Sequence, residues 1–361
     1  MTESVHAGHS PLITFALFAY NQERFIAEAL RGAFNQTYSP LEVILSDDCS
    51  SDSTFEIMRQ MADAYSGPHI VRLNRNGANL GIGGHINRIM EKARGQLIVV
   101  AAGDDVSLPE RTVRIAAAFE ESAGRAFSIF SDAYRISADG QVRGIESTKL
   151  PPETADYRYF ATHMPSVVGS TQAWHRAVFD LFGPMDKRVV NEDVVIPFRA
   201  AILGQVVHIE EVLVLHREHQ TNVWRPPPAA GPRQVAAWQL ARAPKFIEGR
   251  IGTARTFLQD LDVARETTAS TGKDHSSLRS FLKGYIEDQR LEMAFLAATP
   301  RERWGIVQQA RRLGIPPRRV VRWILQYSFP TAYYLFVRHV RRILTRSRPS
   351  PQIKRRSNQK L

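Results

Sequence analysis

The sequence predicts an α/β fold, in which an open, mostly parallel sheet carries helices on both faces and is followed by a helical C-terminal region. Four apolar runs recur at nearly even intervals: LITFALF, LEVIL, IVRL and QLIVVAA, at residues 12–18, 41–45, 70–73 and 96–102. Runs of this length that are rich in β-branched residues are typical of buried parallel strands. The segments between them place apolar side chains on one helical face, so strands and helices alternate.

The later part of the chain has a different pattern. Residues 126–144 predict two short strands joined by a turn, and residues 191–204 predict a helix that ends at Gly204. Helical patterns then cover 234–268, 276–297, 300–313 and 317–327. The triple proline of WRPPPAAGPR predicts a stiff linker. We therefore divide the chain into an α/β domain at 1–223, the linker at 224–233, a helical region at 234–330 and a basic tail at 331–361.

Composition is that of an ordinary globular protein, since 43% of the 361 residues are hydrophobic and 23% are charged. The single cysteine, Cys49, excludes a disulfide framework and fits a reducing compartment. Residues 1–11 are polar, and the first apolar run is short and lacks a basic flank. No signal peptide is predicted, so we expect a cytoplasmic protein.

Positive charge is concentrated near the C-terminus. The chain carries a net charge of +11, but residues 301–361 hold 16 Lys and Arg against one acid, Glu302, which leaves −4 on residues 1–300. Such a tail suggests nucleic acid or an anionic membrane surface as a partner. No aromatic platform or nucleic-acid-reading helix is recognisable, so we do not expect nucleic acid.

The aromatic residues of the tail favour the membrane. Residues 320–344 interleave arginines with aromatic side chains, namely Trp323, Tyr327, Phe329, Tyr333, Tyr334 and Phe336. The uncharged stretch 323–337 is 15 residues long and contains Pro330, whereas a spanning helix needs about 20 residues. We expect helices that lie in the interface of an anionic membrane, which makes the protein peripheral on the inner face of the cell membrane. The alternative is a helix packed on the α/β domain.

Three polar clusters follow predicted strands: AYNQE (19–23), SDDCSSD (46–52) and GDD (103–105) come after the first, second and fourth strands. A single cluster would be explained by helix capping. Three of them at the carboxyl ends of parallel strands lie on one edge of the sheet, where open α/β sheets bind ligands. The sequence therefore predicts a ligand site at this edge.

Two motifs indicate which ligand this site would bind. The segment NLGIGGHIN (79–87) lacks the third glycine of the dinucleotide fingerprint and follows the third strand, so NAD binding is not expected. The adjacent carboxylates of Asp104 and Asp105 suit a hard divalent cation, Mn²⁺ or Mg²⁺, which would relieve their mutual repulsion. In isolation, the pair could equally be solvated acids that precede a helix.

At this point the sequence resembles a known family. The blocks ITFALFAYNQERFIAEALRGAFNQTYSPLEVILSDDCSSDST and NLGIGGHINRIMEKARGQLIVVAAGDDVSLPER look like those of a family 2 glycosyltransferase. That family has the GT-A fold, a Rossmann-like fold that binds nucleotide-diphospho-sugars. The resemblance covers residues 11–220. It implies that Asp48 recognises the nucleotide base, and that Tyr20, Asn21 and Glu23 lie where the first loop meets the nucleotide.

The resemblance also assigns the chemistry. GDD stands in the place of the DXD motif, which implies that Asp105, with Asp104 beside it, holds the metal on the donor diphosphate. NED resembles the ED motif and would make Asp193 the general base, although acids are also common in the first turn of a helix. Further candidate residues are Glu192, Asn87 and His219. Zinc binding by His216 and His219 is less favoured, because no other ligand has suitable spacing.

The predicted function is metal-dependent, inverting and non-processive transfer of a sugar. The donor would be a nucleoside-diphosphate sugar, with a UDP-sugar favoured by the resemblance, and the acceptor a glycan or lipid-linked glycan in cell-surface polysaccharide biosynthesis. The processive branch of the family adds a Q-x-x-R-W motif and transmembrane helices, which this sequence lacks. Two rivals are a nucleic-acid-binding protein and a sugar-nucleotide nucleotidyltransferase. The nucleotidyltransferase should carry a Gly-rich basic loop after the first strand, and FAYNQER is not one.

Overall fold

The computed structural model describes residues 10–148, 155–220, 222, 226, 230–267 and 274–346. The described strands are β1 (Ile13–Ala19), β2 (Leu41–Asp47), β3 (Ile70–Arg75), β4 (Leu97–Ala102), β5 (Val106–Ser107), β6 (Ala126–Ser137), β7 (Val142–Glu146), β8 (Ala173–His175) and β9 (Gln205–Glu218). The described helices are α1 (Ile26–Phe34), α2 (Thr54–Asp63), α3 (Gly81–Met90), α4 (Arg111–Glu121), α5 (Tyr157–His163), α6 (Ala177–Asp180), α7 (Glu192–Leu203), α8 (Pro232–Thr267), α9 (Ser276–Ala297), α10 (Pro300–Arg312), α11 (Pro317–Ser328) and α12 (Pro330–Arg346). The predicted α/β class is confirmed.

The first half of the sheet is parallel. β1 pairs with β2 on one side and with β4 on the other, so that Ile13 lies opposite both Leu41 and Leu97. Almost every residue of these three strands is buried, because helices cover both faces of the sheet. The common register brings the carboxyl ends of β1, β2 and β4 to one edge, which we call the carboxyl edge.

The second half corrects the prediction of a mostly parallel sheet, because the sheet is mixed. Its strand order is β3-β2-β1-β4-β8-β6-β9-β5, with β7 paired to β6. β8 runs antiparallel to β4 and β6, and β5 and β7 run antiparallel to their neighbours, whereas β6 and β9 are parallel. In this half, β6 and β7 form a hairpin, whereas α4 connects β5 to β6 and α6 and α7 lie between β8 and β9. β5 and β8 have two and three residues, too few to show a direction in the sequence.

The chain divides into two compact units. The first is Met1–His219 with Pro244–Arg290, and the second is Gln220–Ala243 with Leu291–Leu361. This division differs from the predicted segments, since residues 244–290 of the helical region belong with the α/β domain. Most of the predicted linker at 224–233, and residues 347–361 of the predicted tail, lie outside the described residues.

A buried ion pair explains why the later part of α8 belongs to the first unit. Arg199 of α7 donates from Nε and Nη2 to the two carboxylate oxygens of Asp260 in α8, at 2.8 and 3.0 Å, and both side chains are fully buried. Arg199 also donates to the carbonyls of Val178 and Gly183, at 2.9 Å each. Burial raises the pKa of Asp260 to about 6, and Arg199 opposes that shift. The pair fixes α7, whose first turn carries Glu192.

The second unit is a helical assembly with its own core. Trp323 of α11 is fully buried and packs beside Phe295, with a ring-centroid distance of 6.2 Å. Glu292 is buried and accepts hydrogen bonds from Arg322 and from the Tyr327 hydroxyl, at 2.9 and 2.7 Å. None of the helices described is long and apolar enough to cross a bilayer.

Substitution of Arg199 tests the buried pair. Arg199→Met should lower the free energy of unfolding by about 3–5 kcal/mol, because it leaves the Asp260 carboxylate buried without its cation. The double variant Arg199→Met/Asp260→Leu should recover part of that loss, since an apolar pair of similar size often replaces a buried ion pair at little cost, although the Val178 and Gly183 carbonyls still lose their donor. Urea unfolding measures both. A double variant no more stable than Arg199→Met would contradict this account.

Candidate active site

The loops after β1 and β2 are joined by hydrogen bonds between predicted site residues. Asn21, which adopts a left-handed φ of 53°, accepts at Oδ1 from the Ser51 N–H at 2.9 Å. Glu23 accepts at Oε2 from the Ser53 N–H, also at 2.9 Å. Tyr20 lies in the sequence between the end of β1 and Asn21, and 48% of its surface is exposed. Asn21 and Glu23 therefore shape the edge, and Tyr20 offers an exposed aromatic face on it.

Asp48 is buried and holds the start of α3. Its Oδ1 accepts from the Asn76 side-chain amide at 2.8 Å and from the Leu80 N–H at 2.9 Å, and its Oδ2 accepts from the Gly81 N–H at 3.0 Å. The carboxylate thus satisfies N–H groups that the helix start would otherwise leave without partners. Because this partner lies 32 residues upstream, no local capping pattern in the sequence reveals it.

His85 is a site-adjacent residue that the sequence analysis missed. It is buried, its Nε2 lies 2.5 Å from the Ser46 hydroxyl, and the edge of its ring meets Phe18 with a centroid distance of 4.9 Å. Burial lowers its pKa to about 4, against the raising effect of Asp48 and Asp47. The imidazole is therefore neutral at physiological pH and joins α3 to the end of β2.

The GDD segment closes the other side of the edge. A Cβ atom on Gly103 would lie 2.5 Å from the Gln22 side-chain oxygen and 3.0 Å from the side chains of Ala19 and Ile26. Glycine at this position lets the end of β4 lie this close to the loop after β1 without displacing these side chains. Asp104, which follows, is thereby held beside the AYNQE loop.

The pairing of β5 with β9 sets the partners of the two acids. Val106 lies opposite Leu215 in an antiparallel ladder, so the residues before Val106 run alongside those after Leu215. The Arg217 N–H donates to Asp105 Oδ1 at 2.8 Å, and His219 Nε2 lies 2.9 Å from Asp104 Oδ2. His219, a predicted site residue, is thus brought to the acids.

The two acids differ in exposure. Asp105 is 5% exposed, whereas Asp104 is partly exposed at the edge. Burial raises the pKa of Asp105 to about 6; the charge of Asp104 adds to the shift, and His216 opposes it. Both predicted metal ligands therefore lie together, with Asp104 the more accessible of the pair.

Arg217 is the second residue that the sequence analysis did not assign. It is 1% exposed, and its Nε donates to the Asp104 carbonyl at 3.0 Å. Its Nη1 donates to the Ala138 carbonyl at 3.0 Å and its Nη2 to Glu28 of α1 at 2.5 Å. The guanidinium also lies over the Phe25 ring, 5.1 Å from the centroid. Arg217 therefore joins α1, the β6–β7 turn and the GDD backbone.

The acids of α7 lie beside the same edge. β8 pairs antiparallel with β4, and the Val100 N–H donates to the Gln172 carbonyl at 3.0 Å, so the turn before β8 lies at the end of β4. A Cβ atom on Gly169 in this turn would lie 2.8 Å from Glu192 Oε1 and 3.9 Å from the Asp193 Cβ. The first turn of α7 thus adjoins the end of β4.

Glu192 and Asp193 form a pair of desolvated carboxyl groups. Asp193 is partly exposed as a residue, but its Oδ1 is buried and accepts no hydrogen bond from the described residues. Burial raises the pKa of Asp193 well above its usual range, and the charge of Glu192 raises it further. Burial also raises the pKa of Glu192 to about 7. Such a pair can hold and release a proton near neutral pH.

Two other candidates have different surroundings. Asn87 makes both amide hydrogen bonds to the backbone of Met185, at 2.8 and 2.9 Å, and so joins α3 to the segment before α7. His216 Nδ1 lies 2.7 Å from Glu146, so its partner differs from that of His219. Across the described residues, no group of three or more His, Cys, Asp or Glu side chains is arranged as a metal site.

A surface groove of about 310 Å³ opens beside the outermost parallel strand, β3. It adjoins the Asp48 cap through Asn76 and Leu80 and does not reach the acids. Its lining residues are mostly polar or basic: Asn74, Arg75, Asn76, Gly77, Leu80, Arg88 and Lys92.

Comparison with known proteins finds a family match over the first part of the chain. Residues 14–182 match the family described as Glycosyl transferase family 2. The chain carries a family 2 glycosyltransferase domain. The family match confirms the resemblance of the two motif blocks, and the α/β sheet agrees with the expected GT-A type. The glycosyltransferase domain includes the loops after β1 and β2 and the GDD segment, whereas α7 follows it.

The relatives cover only part of the chain. Over 143 residues the chain is 30% identical to EpsE of Bacillus subtilis (strain 168), an alignment that covers 40% of this chain and 50% of EpsE. Over 105 residues it is 35% identical to the succinoglycan biosynthesis protein ExoO of Rhizobium meliloti (strain 1021), covering 29% of each. The chain thus spans at most half the length of these two relatives.

Among solved structures, S. aureus TarS 1–349 in complex with UDP-GlcNAc is 14% identical and has a TM-score of 0.48. The match covers 88% of this chain and 91% of the TarS chain.

Substitution of Asp48 tests whether its carboxylate stabilises the fold. Asp48→Asn should lower the free energy of unfolding by about 1 kcal/mol or more, because the amide cannot accept from all three donors of the α3 start. Urea unfolding measures the loss. The control is Asp139→Asn in the exposed β6–β7 turn, which should leave stability unchanged. Equal stability of both variants would show that Asp48 does not cap α3.

Proposed function

We propose that this chain transfers a sugar from a nucleoside-diphosphate sugar to an acceptor hydroxyl, with inversion at the anomeric carbon. The observation that carries the proposal is the buried Oδ1 of Asp193, which lacks a hydrogen-bond donor among the described residues, beside the turn at the end of β4. Buried polar atoms are nearly always paired, so an unpaired carboxylate oxygen needs a reason. We infer that the Asp193 carboxyl group is kept here to take a proton from the acceptor hydroxyl.

In the proposed reaction, the acceptor oxygen forms a bond to the anomeric carbon of the donor sugar. The bond from that carbon to the diphosphate oxygen breaks, and the nucleoside diphosphate leaves with the bonding electrons. The acceptor's proton passes to the Asp193 carboxylate. A single displacement on the face opposite the leaving group inverts the anomeric carbon, and the transfer of one sugar per encounter makes the enzyme non-processive.

Asp104 and Asp105 fit a divalent cation, Mn²⁺ or Mg²⁺. Such cations are usually held by one or two carboxylates together with substrate phosphates. Burial raises the pKa of Asp105, and a bound cation would favour its ionised form. When bound, the cation would neutralise the charge that develops on the leaving diphosphate. Arg217 and His219 keep the two acids in position.

The donor base is assigned to the side of the edge that carries Tyr20 and Asp48. The Asp48 N–H donates to the Ala19 carbonyl at 2.9 Å, which places the Asp48 loop beside Tyr20. An exposed aromatic ring offers a surface on which a base can stack. We favour a UDP-sugar as donor and a glycan or lipid-linked glycan as acceptor. A relative named for succinoglycan biosynthesis supports a role in cell-surface polysaccharide assembly.

A panel of nucleoside-diphosphate sugars tests the reaction class, with water in place of the acceptor. We expect nucleotide release that requires Mn²⁺ or Mg²⁺ and stops in excess EDTA. Asp104→Asn keeps the shape of the side chain but removes its charge, so release should fall by about 100-fold. The control is again Asp139→Asn, which should release nucleotide at the rate of the unsubstituted protein.

Other outcomes would identify the rival functions. Release unaffected by EDTA would contradict the cation assignment. Release from no sugar nucleotide, with pyrophosphate formed from a nucleoside triphosphate and a sugar phosphate, would identify a nucleotidyltransferase instead.

The dependence of rate on pH tests the base. Asp193 acts only when ionised, so the rate should increase as pH rises through the pKa of Asp193, which burial and Glu192 raise well above its usual range. Asp193→Asn should lower kcat by about 10²–10⁴-fold and leave donor binding nearly unchanged. Glu192→Gln removes a neighbouring negative charge, which lowers the pKa of Asp193 and moves the rising limb to lower pH. An unmoved limb in Glu192→Gln would contradict the proposed pairing of the two acids.

A further inference from the structure

Helix α11 of the second unit has an apolar surface on two sides. Val320, Trp323 and Tyr327 are buried in the core of the unit. On the adjacent side of the helix, Val321 and Ile324 are 51% and 36% exposed, and Leu325 is 39% exposed. A helix that only packs on a core needs one apolar side, so the second one requires an explanation.

Exposed apolar residues continue along the chain into α12. Phe329, between the two helices, is 59% exposed, and Leu335 and Phe336 of α12 are 47% and 62% exposed. Val340, one turn further on, is 36% exposed. We call these exposed residues of the two helices the α11–α12 face: Val321, Ile324, Leu325, Phe329, Leu335, Phe336 and Val340. Large apolar side chains grouped in this way mark an interaction site.

The charge of the second unit indicates what covers the face. Its two segments hold 19 Lys and Arg and two acids, Glu292 and Glu302. Glu292 is buried, where it accepts from Arg322 and Tyr327, and Glu302 caps the start of α10. Arg318 and Arg338 are exposed on the helices that carry the face. The surroundings of the apolar residues are therefore strongly basic.

We propose that the α11–α12 face docks on the surface of an anionic lipid bilayer. Its apolar and aromatic side chains would enter the headgroup region, and the arginines would pair with lipid phosphates, as in helices that lie in a membrane interface. Basic residues are spread along both helices and recur through residues 348–360 of the sequence. An anionic bilayer presents negative charge continuously over its surface, whereas a protein partner presents a few clustered acids. The wide distribution of these basic residues therefore favours the bilayer. The inference does not depend on the proposed glycosyl transfer.

Vesicle binding by the full-length chain tests the proposal. The chain should float with vesicles of phosphatidylcholine containing about 30% phosphatidylglycerol, bind pure phosphatidylcholine weakly, and be partly released by high salt. Leu335→Asp/Phe336→Asp should weaken binding at least about tenfold, because two exposed apolar anchors are lost. The matched control is Val142→Asp/Ile145→Asp in β7, whose side chains are 56% and 58% exposed and which should bind as the unsubstituted chain does.

A milder substitution guards against a folding defect in the double variant. Arg338→Gln keeps an exposed polar side chain and should weaken binding to the anionic vesicles about fivefold, the value expected for one basic residue near such a surface. Equal binding to neutral and anionic vesicles, or equal binding by the α12 double variant and its β7 control, would overturn the proposal. So would failure to bind vesicles combined with a dimer in light scattering that Leu335→Asp/Phe336→Asp converts to a monomer, since a second copy would then cover the face.

Discussion

The common register of β1 with β2 and β4 is the constraint on which the candidate site depends. Because Ile13 lies opposite both Leu41 and Leu97, the three strands end together, and the loops that follow meet at the carboxyl edge. The small side chain of Gly103 then lets the GDD segment lie against the loop after β1. The fold thus brings together polar residues that are about 30 to 80 positions apart in the sequence.

A second feature of the site is that it contains buried ionisable side chains, only some of which have hydrogen-bond partners for all their polar atoms. Arg217 is surrounded by acceptors from three elements, whereas Asp193 keeps a buried oxygen without a donor among the described residues. Burial of such groups costs stability, because the charged form loses its hydration. Arg199 and Asp260 offset part of that cost by fixing α7, which carries Asp193. The Arg199–Asp260 pair in the first unit thus helps to hold the buried carboxyl group of Asp193 in place at the carboxyl edge.

The sequence predicted the features that arise from local patterns. The four parallel strands and the four predicted C-terminal helices lie within about two residues of their predicted bounds. The mixed second half of the sheet was not predicted, because β5 and β8 are too short to show a pattern. Motif resemblance predicted Asp104, Asp105 and Asp193 as site residues. The contacts of Arg217 were not predicted, since they come from the β5–β9 register and no local pattern encodes that pairing.

A crystal structure with Mn²⁺ and UDP would test the central claim most directly, through the anomalous signal of manganese. We expect one anomalous peak in contact with the carboxylates of Asp104 or Asp105 and with the diphosphate, and a base beside Tyr20. An anomalous peak away from both acids, or a nucleotide bound in the groove beside β3, would contradict it.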